Sequence, residues 1–238
     1  MGSTADQAQT QLALPVFPRA VLLFARAPRV EQEVKPFGPR GEEIHRALLV
    51  AVLTAIRGLP LDVDLVLAGD QERELRPIVR QMIEESRRVG DVPVFGDGFG
   101  SRFLCAVDGA IGLGYGHLVV VGGDIAEIRL RHLMRAFSLL AEGDPVIVGP
   151  SPDGGFYLLG FSSPPNRILR EIPWRGPRAL NALLGRCEET HVKPAFLEQV
   201  ADVDDAGAIE GLRTRLNRLQ PAGDLCRTIS RVVDSVGL

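Results

Sequence analysis

The sequence has 238 residues, of which 45% are hydrophobic and 24% charged, and its formal net charge is −3. This composition is typical of a globular protein with one sizeable core, and a weakly acidic chain lacks the basic footprint of a nucleic-acid-binding protein. Its three cysteines are widely spaced and form no CxxC pair, which argues against a disulfide framework or a zinc site and fits a cytoplasmic protein. No apolar run reaches the ~18 residues of a membrane helix, so we expect no membrane span.

The polar first residues of the chain lack the basic and apolar regions of a signal peptide. We therefore predict a disordered leader over residues 1–18. The connections between the predicted elements that follow are short, and no Pro/Ser-rich linker divides them. This favours a single domain over residues 19–238, ending in a helical tail.

Short apolar runs alternate with longer amphipathic segments along this domain. In chain order the pattern predicts a strand at 20–25, a helix at 42–57, a strand at 63–68, a helix at 72–88, a strand at 92–95, a helix at 101–111, a strand at 117–121, a helix at 127–141, strands at 145–149 and 156–160, and helices at 177–186 and 205–216. In the first helix the apolar positions share one face: Ile44, Leu48, Leu49, Val52 and Ile56. The alternation predicts an α/β fold with a mostly parallel sheet and helices on both faces.

Ligands of open α/β sheets bind outside the carboxyl ends of the strands. Asp124 directly follows the apolar strand at 117–121, after Gly122 and Gly123. Two glycines let a ligand approach the backbone, and the carboxylate can bind Mg²⁺ or Mn²⁺, which in turn binds phosphate oxygens. The alternative is that Asp124 caps the helix that follows, and position alone does not decide between the two.

Two further segments carry carboxylates. Asp153 lies in an Asp-Gly-Gly sequence, which is typical of a plain turn. Asp202 and Asp204 are two residues apart, so in an extended segment they point to the same side and could share a cation. Helix capping by Asp204 or Asp205 is the more frequent explanation of that pattern.

The first strand is followed by a basic loop with Arg26, Arg29, Lys35 and Arg40. These side chains can offset phosphate charge, although basic loops are usually solvated and mobile.

A glycine-rich stretch runs from Gly96 through Gly98 and Gly100 to Arg102 at the start of a predicted helix. Its backbone N–H groups could hold an anion or the edge of a base, although its spacing matches neither the Walker A nor the dinucleotide pattern. Trp174 is the only tryptophan. It either stacks on a ligand ring or fills the core, and we favour a lid loop that faces the ligand.

Five segments together resemble a known family: 24–28 (FARAP), 122–126 (GGDIA), 149–160 (GPSPDGGFYLLG), 172–174 (IPW) and 202–205 (DVDD). In order and spacing they resemble a bacterial group of GT-A-like nucleotide-diphospho-sugar transferases of the radical-SAM-associated type. That group is more distantly related to the nucleotidyltransferases of molybdenum-cofactor and coenzyme F420 biosynthesis. The resemblance covers about residues 20–212, and the 149–160 block is its most specific part.

The resemblance implies a GT-A-like three-layer sandwich around a Rossmann-like sheet, a nucleotide-diphosphate donor and a divalent cation, Mg²⁺ or Mn²⁺. It implies that Asp124 binds the metal, that Asp204 or Asp153 completes the metal shell or orients the acceptor, and that Asp153 is the catalytic candidate. The donor would contact Arg26, Lys35, Gly96, Gly98, Gly100, Arg102, Gly122, Gly123 and Trp174.

Two segments depart from the family pattern. Phe37 replaces an arginine of the first loop, and Gly122–Gly123–Asp124–Ile125–Ala126 replaces Gly-Ser-Asp-Cys-Pro. Three hypotheses follow, in this order: a metal-dependent glycosyltransferase that uses a nucleotide-sugar and a small-molecule acceptor, a nucleotidyltransferase for a small phosphorylated metabolite, and a catalytically silent binding protein. Both a monomer and a homodimer stay open.

Overall fold

The computed structural model describes residues 18–68, 72–83, 87–162, 164–174, 176–203, 207–209 and 211–212. The predicted leader up to residue 17 and the predicted tail from Arg213 lie outside these residues, as does Asp204. No helix in the described part of the chain is long and apolar enough to cross a membrane.

A seven-stranded sheet organises the described residues. Its strands are β1 (Arg19–Phe24), β2 (Val63–Ala68), β3 (Val89–Val92), β4 (His117–Val121), β5 (Val146–Pro150), β6 (Phe156–Phe161) and β7 (Ala195–Phe196). They lie in the order β3-β2-β1-β4-β6-β5-β7, which makes β4 the middle strand. All neighbours are parallel except β6, which runs antiparallel to both β4 and β5.

Six helices cover the sheet in the described ranges: α1 (Pro28–Val34), α2 (Gly41–Arg57), α3 (Glu72–Met82), α4 (Phe99–Gly112), α5 (Leu130–Ala141) and α6 (Ala179–Glu189). Successive side chains of a strand point to opposite faces, so Val21 and Leu23 of β1 pack with α2, α3 and α5, while Ala20 and Leu22 pack with α4 and α6. The predicted α/β fold, with helices on both faces of a mostly parallel sheet, is confirmed.

The predicted apolar face of α2 is also confirmed, because all five of its residues are buried. Leu49, Val52 and Ile56 face the sheet core, whereas Ile44 and Leu48 join a separate cluster that includes Val203. The helix therefore holds the chain around residue 203 against the same layer that supports β1 and β4.

The third strand lies three residues earlier than predicted. It spans Val89–Val92 rather than 92–95, and the preceding helix ends at Met82 rather than 88. Pro93 has no N–H and cannot donate to a ladder, so pairing with β2 stops at Val92. The glycine and aspartate at 90 and 91 hide this strand from a search for apolar runs.

Two corrections concern the ends of β1 and β4. The residues after β1 do not form a mobile loop: α1 begins at Pro28, a residue whose fixed φ suits the first helical position. The helix predicted from 127 begins only at Leu130, because Arg129 at its N-cap is extended, with φ −133° and ψ 158°. Asp124 therefore lies six residues before the helix, and the alternative that it caps this helix is excluded.

Candidate functional site

A cleft of about 800 Å³ opens at the carboxyl ends of β1 and β4. Residues 24–26, at the end of β1, and residues 120–124, at the end of β4, line its floor. It brings together ten of the residues that the sequence singled out: Arg26, Lys35, Gly98, Gly100, Arg102, Gly122, Gly123, Asp124, Asp153 and Trp174. Gly96 does not line the cleft; its positive φ of 125° serves a turn packed against Ser101.

Asp124 lines the cleft and is paired with a lysine. Its Oδ2 accepts a hydrogen bond from Nζ of Lys35 at 2.7 Å, although 89 residues separate the two in sequence. The two side chains are only 24% and 25% exposed, respectively. This ion pair is therefore less screened by water than a surface pair would be.

Gly122 and Gly123 set the geometry around this carboxylate. A Cβ on Gly123 would lie 2.8 Å from Cβ of Ala25, and one on Gly122 would lie 2.8 Å from Oδ1 of Asp124. Side chains at these positions would therefore push the ends of β1 and β4 apart or displace the carboxylate. The glycines keep this edge of the sheet open to a ligand.

Only some of the basic residues that follow β1 reach the cleft. Arg26 donates to Glu31 at 2.8 Å, and Nζ of Lys35 lies 3.8 Å from the same carboxylate. Arg29 and Arg40 do not line the cleft; both form ion pairs with exposed glutamates instead. Of the basic residues predicted to face phosphate after β1, only Arg26 and Lys35 therefore line the cleft.

The backbone that carries Lys35 is held in place by two side chains. Nε2 of His45, a buried residue of α2, donates to the carbonyl oxygen of Lys35 at 2.8 Å. Gln32 accepts from the Phe37 N–H at 3.1 Å and donates to the Gly38 carbonyl at 2.9 Å. These contacts fix the chain after α1 at the cleft wall.

The segment before Asp204 lies beside Asp124. The N–H of Val203 donates to the carbonyl oxygen of Asp124 at 3.1 Å, and Asp202 lines the cleft. Asp202 of this segment therefore lines the same cleft as Asp124, while the predicted metal ligand Asp204 lies outside the described residues.

Asp153 occupies a turn at the mouth of the cleft. Its Oδ1 accepts from the Gly155 N–H at 2.9 Å, and Gly154 has a φ of +89° with its backbone packed on Pro177. Asp153 is exposed. The turn interpretation therefore describes its local geometry, and its exposed position at the cleft leaves the carboxylate accessible to a ligand.

An aromatic cluster forms part of the cleft wall. The Trp174 ring lies 4.7 Å from Phe103, 6.0 Å from Phe99 and 6.1 Å from Phe156, measured between centroids. A Cβ on Gly100 would lie 2.2 Å from Cδ1 of Trp174, so this glycine admits the indole. Trp174 both lines the cleft and packs against the core, so it contributes to the core, and its stacking on a ligand ring stays a prediction.

One backbone N–H of the glycine-rich turn is already hydrogen-bonded within the helix that follows. The Gly98 N–H donates to Oγ of Ser101 at 3.2 Å, which closes the first turn of α4. This N–H is therefore engaged by the protein, whereas the turn as a whole lines the cleft.

Among the described residues, no group of three His, Cys, Asp or Glu side chains could hold a metal ion. Mg²⁺ is commonly bound through only one or two carboxylates together with substrate phosphates and water. Asp124 and Asp202, which both line the cleft, provide such hard oxygen donors. The donor set fits a divalent cation that shares its ligands with a phosphorylated substrate.

A family model described as "Uncharacterized protein conserved in bacteria (DUF2064)" matches residues 52–176. The chain belongs to the DUF2064 family. No curated protein matches this DUF2064 chain.

Solved structures share its fold. A "putative nucleotide-diphospho-sugar transferase" from Desulfovibrio desulfuricans G20 has a TM-score of 0.72 and 18% identity, over 93% of this chain and 97% of that one. A cytidylyltransferase from Leptospira borgpetersenii has a TM-score of 0.55 and 14% identity, over 92% and 95%. The 4-diphosphocytidyl-2C-methyl-D-erythritol synthase from Anaerococcus prevotii has a TM-score of 0.55 and 10% identity, over 84% and 96%. These likenesses confirm the nucleotide-diphospho-sugar-transferase fold.

Proposed function

We propose that the chain is a metal-dependent glycosyltransferase that holds the diphosphate of a nucleotide-sugar in this cleft. The observation that carries the proposal is the position of Asp124. It follows the middle strand at the carboxyl edge of the sheet and meets Lys35 and the Asp202 segment on the cleft floor.

The charge balance of the cleft supports a requirement for a metal. The described lining has three basic side chains and five acidic ones: Arg26, Lys35 and Arg102, and Glu31, Asp97, Asp124, Asp153 and Asp202. A diphosphate would add further negative charge to a lining that already carries an excess of carboxylates. A divalent cation would offset this repulsion.

Each part of the cleft has a role in this proposal. Asp124 and Asp202, with Asp204 as a further candidate, would hold Mg²⁺ or Mn²⁺, which when bound stabilises the charge of the leaving diphosphate. Lys35 and Arg26 would bind phosphate oxygens.

The other two walls would position the rest of the donor and the acceptor. The turn from Gly98 to Arg102 and the ring of Trp174 would line the nucleoside. Asp153, at the mouth, would orient the acceptor hydroxyl or accept its proton. The fold likeness to the Desulfovibrio protein supports a sugar donor.

A nucleotidyltransferase is the second candidate. Two cytidylyltransferase-type structures share the fold, and Arg26 and Lys35, which line the cleft, would bind the triphosphate. The two functions differ in their products: a glycosyltransferase releases a nucleoside diphosphate, whereas a nucleotidyltransferase releases pyrophosphate.

The test is a product assay. The protein is incubated with Mn²⁺, a panel of nucleotide-sugars or nucleoside triphosphates and a pool of small acceptors, and nucleoside diphosphate and pyrophosphate are measured separately. Asp124→Ala should abolish release, whereas Asp108→Ala, an exposed aspartate of α4 outside the cleft, should not. Unchanged turnover of Asp124→Ala would overturn the metal assignment, and no release from any pair would favour a silent binding protein.

A further inference from the structure

We infer that Lys35 is the resident counter-ion of Asp124, and that the site therefore admits a divalent cation only together with a diphosphate. This inference rests on the proposed function and adds a rule for ligand entry: the cleft takes a metal–diphosphate complex and discriminates against the free metal ion.

The first argument is competition for one oxygen. Nζ of Lys35 lies 2.7 Å from Oδ2 of Asp124, and about three quarters of each side chain is buried. A free metal ion would have to displace the ammonium from this carboxylate. The displaced ammonium would then stay beside a dication in a partly buried position, where like charges repel more strongly than in bulk water.

The second argument is that a diphosphate removes this penalty. Its oxygens would give the ammonium a new anionic partner as the cation takes Asp124. Glu31, whose carboxylate lies 3.8 Å from Nζ, is a poor substitute for Asp124, because it already accepts a hydrogen bond from Arg26 at 2.8 Å. Metal and diphosphate would thus bind cooperatively, because each makes room for the other.

The third argument is that the exchange needs little motion. The carbonyl of Lys35 is fixed by His45, and the next turn of chain is fixed by Gln32. The four-carbon stem of a lysine can nevertheless rotate its ammonium over several ångströms. Only the Lys35 side chain has to move, and the cleft wall stays in place.

The experiment is Mn²⁺ binding to the full chain, followed by calorimetry or by the electron paramagnetic resonance signal of free Mn²⁺. The wild type should bind Mn²⁺ alone weakly and should bind the preformed Mn²⁺–pyrophosphate complex more tightly, measured against a protein-free sample because pyrophosphate itself binds Mn²⁺. Lys35→Met should bind Mn²⁺ alone about tenfold more tightly than the wild type, a change of about 1.4 kcal/mol. It should also lose most of the gain from pyrophosphate.

Lys35→Arg is the matched control, since it keeps a cation at Asp124 and should bind Mn²⁺ alone like the wild type. If Lys35→Met does not fold, Lys35→Gln replaces it, because glutamine keeps a donor without the charge. Equal Mn²⁺ affinity of the wild type and the uncharged variant would overturn the inference. A wild type that binds no nucleotide would instead overturn the proposed function, while the comparison with Mn²⁺ alone still decides the role of Lys35.

Discussion

Replacing Gly100 by alanine tests how Trp174 is held at the cleft wall. An ideal Cβ at this position would lie 2.2 Å from Cδ1 and 2.4 Å from Nε1 of the indole. The ring cannot turn aside easily, because it packs against Phe99, Phe103 and Phe156. We therefore expect Gly100→Ala to displace the indole and to lower the free energy of unfolding.

The magnitude follows from known overpacking effects. Adding a methyl group to a well-packed site costs about 1–3 kcal/mol. For a chain of this size each kcal/mol shifts Tm by about 2–4 °C, so Tm should fall by roughly 2–12 °C. Because the chain has a single tryptophan, its fluorescence emission reports Trp174 alone and should shift when the ring moves.

Gly112→Ala provides the control. It lies in the same helix, is exposed, and an added Cβ would meet nothing within 4 Å. Alanine favours helix over glycine by up to ~1 kcal/mol, so Tm should stay the same or rise slightly. A Gly100→Ala protein with wild-type Tm and emission would show that the indole does not pack against Gly100.

Two further substitutions test the core of the fold and its pH response. Arg87→Met removes the buried donor to the carbonyls of Leu59 and Val63. Because these acceptors lose their donor, the free energy of unfolding measured in urea should fall by about 3 kcal/mol. An unchanged urea midpoint would refute this role. Burial lowers the pKa of His132 below its ordinary 6.5, although its hydrogen bond to Glu198 opposes the shift. The neutral form is thus favoured by folding, so its contribution to stability is complete above about pH 6.5 and is lost as pH falls through the lower folded-state pKa. His132→Gln should therefore flatten the fall in Tm between about pH 7.5 and about pH 5, whereas the exposed His191→Asn should keep it, and equal slopes in all three proteins would contradict the assignment.

The fully buried strands could be predicted from the sequence, and the partly buried edge strand β3 could not. β2 and β4 are buried throughout and are apolar apart from Asp64 and His117, so their predicted bounds match the structure. β3 contains Gly90 and Asp91 and is only partly buried, which leaves no periodic signal. The sequence pattern shows only that strands and helices alternate. It therefore could not predict that β6 lies antiparallel between β4 and β5.

The candidate site shows the same division. Position after β4 was enough to single out Asp124, but its partner Lys35 lies 89 residues away, and only the fold shows that the two meet. Glu31 and His45 were not predicted. Glu31 stands four residues before Lys35, a spacing that places two helical side chains on one face and could have indicated the pair. His45 gives no such signal, since its contact with the Lys35 carbonyl depends on how α1 packs against α2.

The most direct test of the central claim is thermal unfolding of the wild type and of Asp124→Asn with a panel of nucleotide-sugars and nucleoside triphosphates, each with and without Mn²⁺. A ligand at 100 times its Kd stabilises the protein by ~2.7 kcal/mol, which should raise Tm by about 5–11 °C. We predict such a rise for the wild type with one nucleotide class and Mn²⁺, and its loss in Asp124→Asn. An equal rise without Mn²⁺, or an undiminished rise in Asp124→Asn, would contradict a diphosphate held through a cation on Asp124.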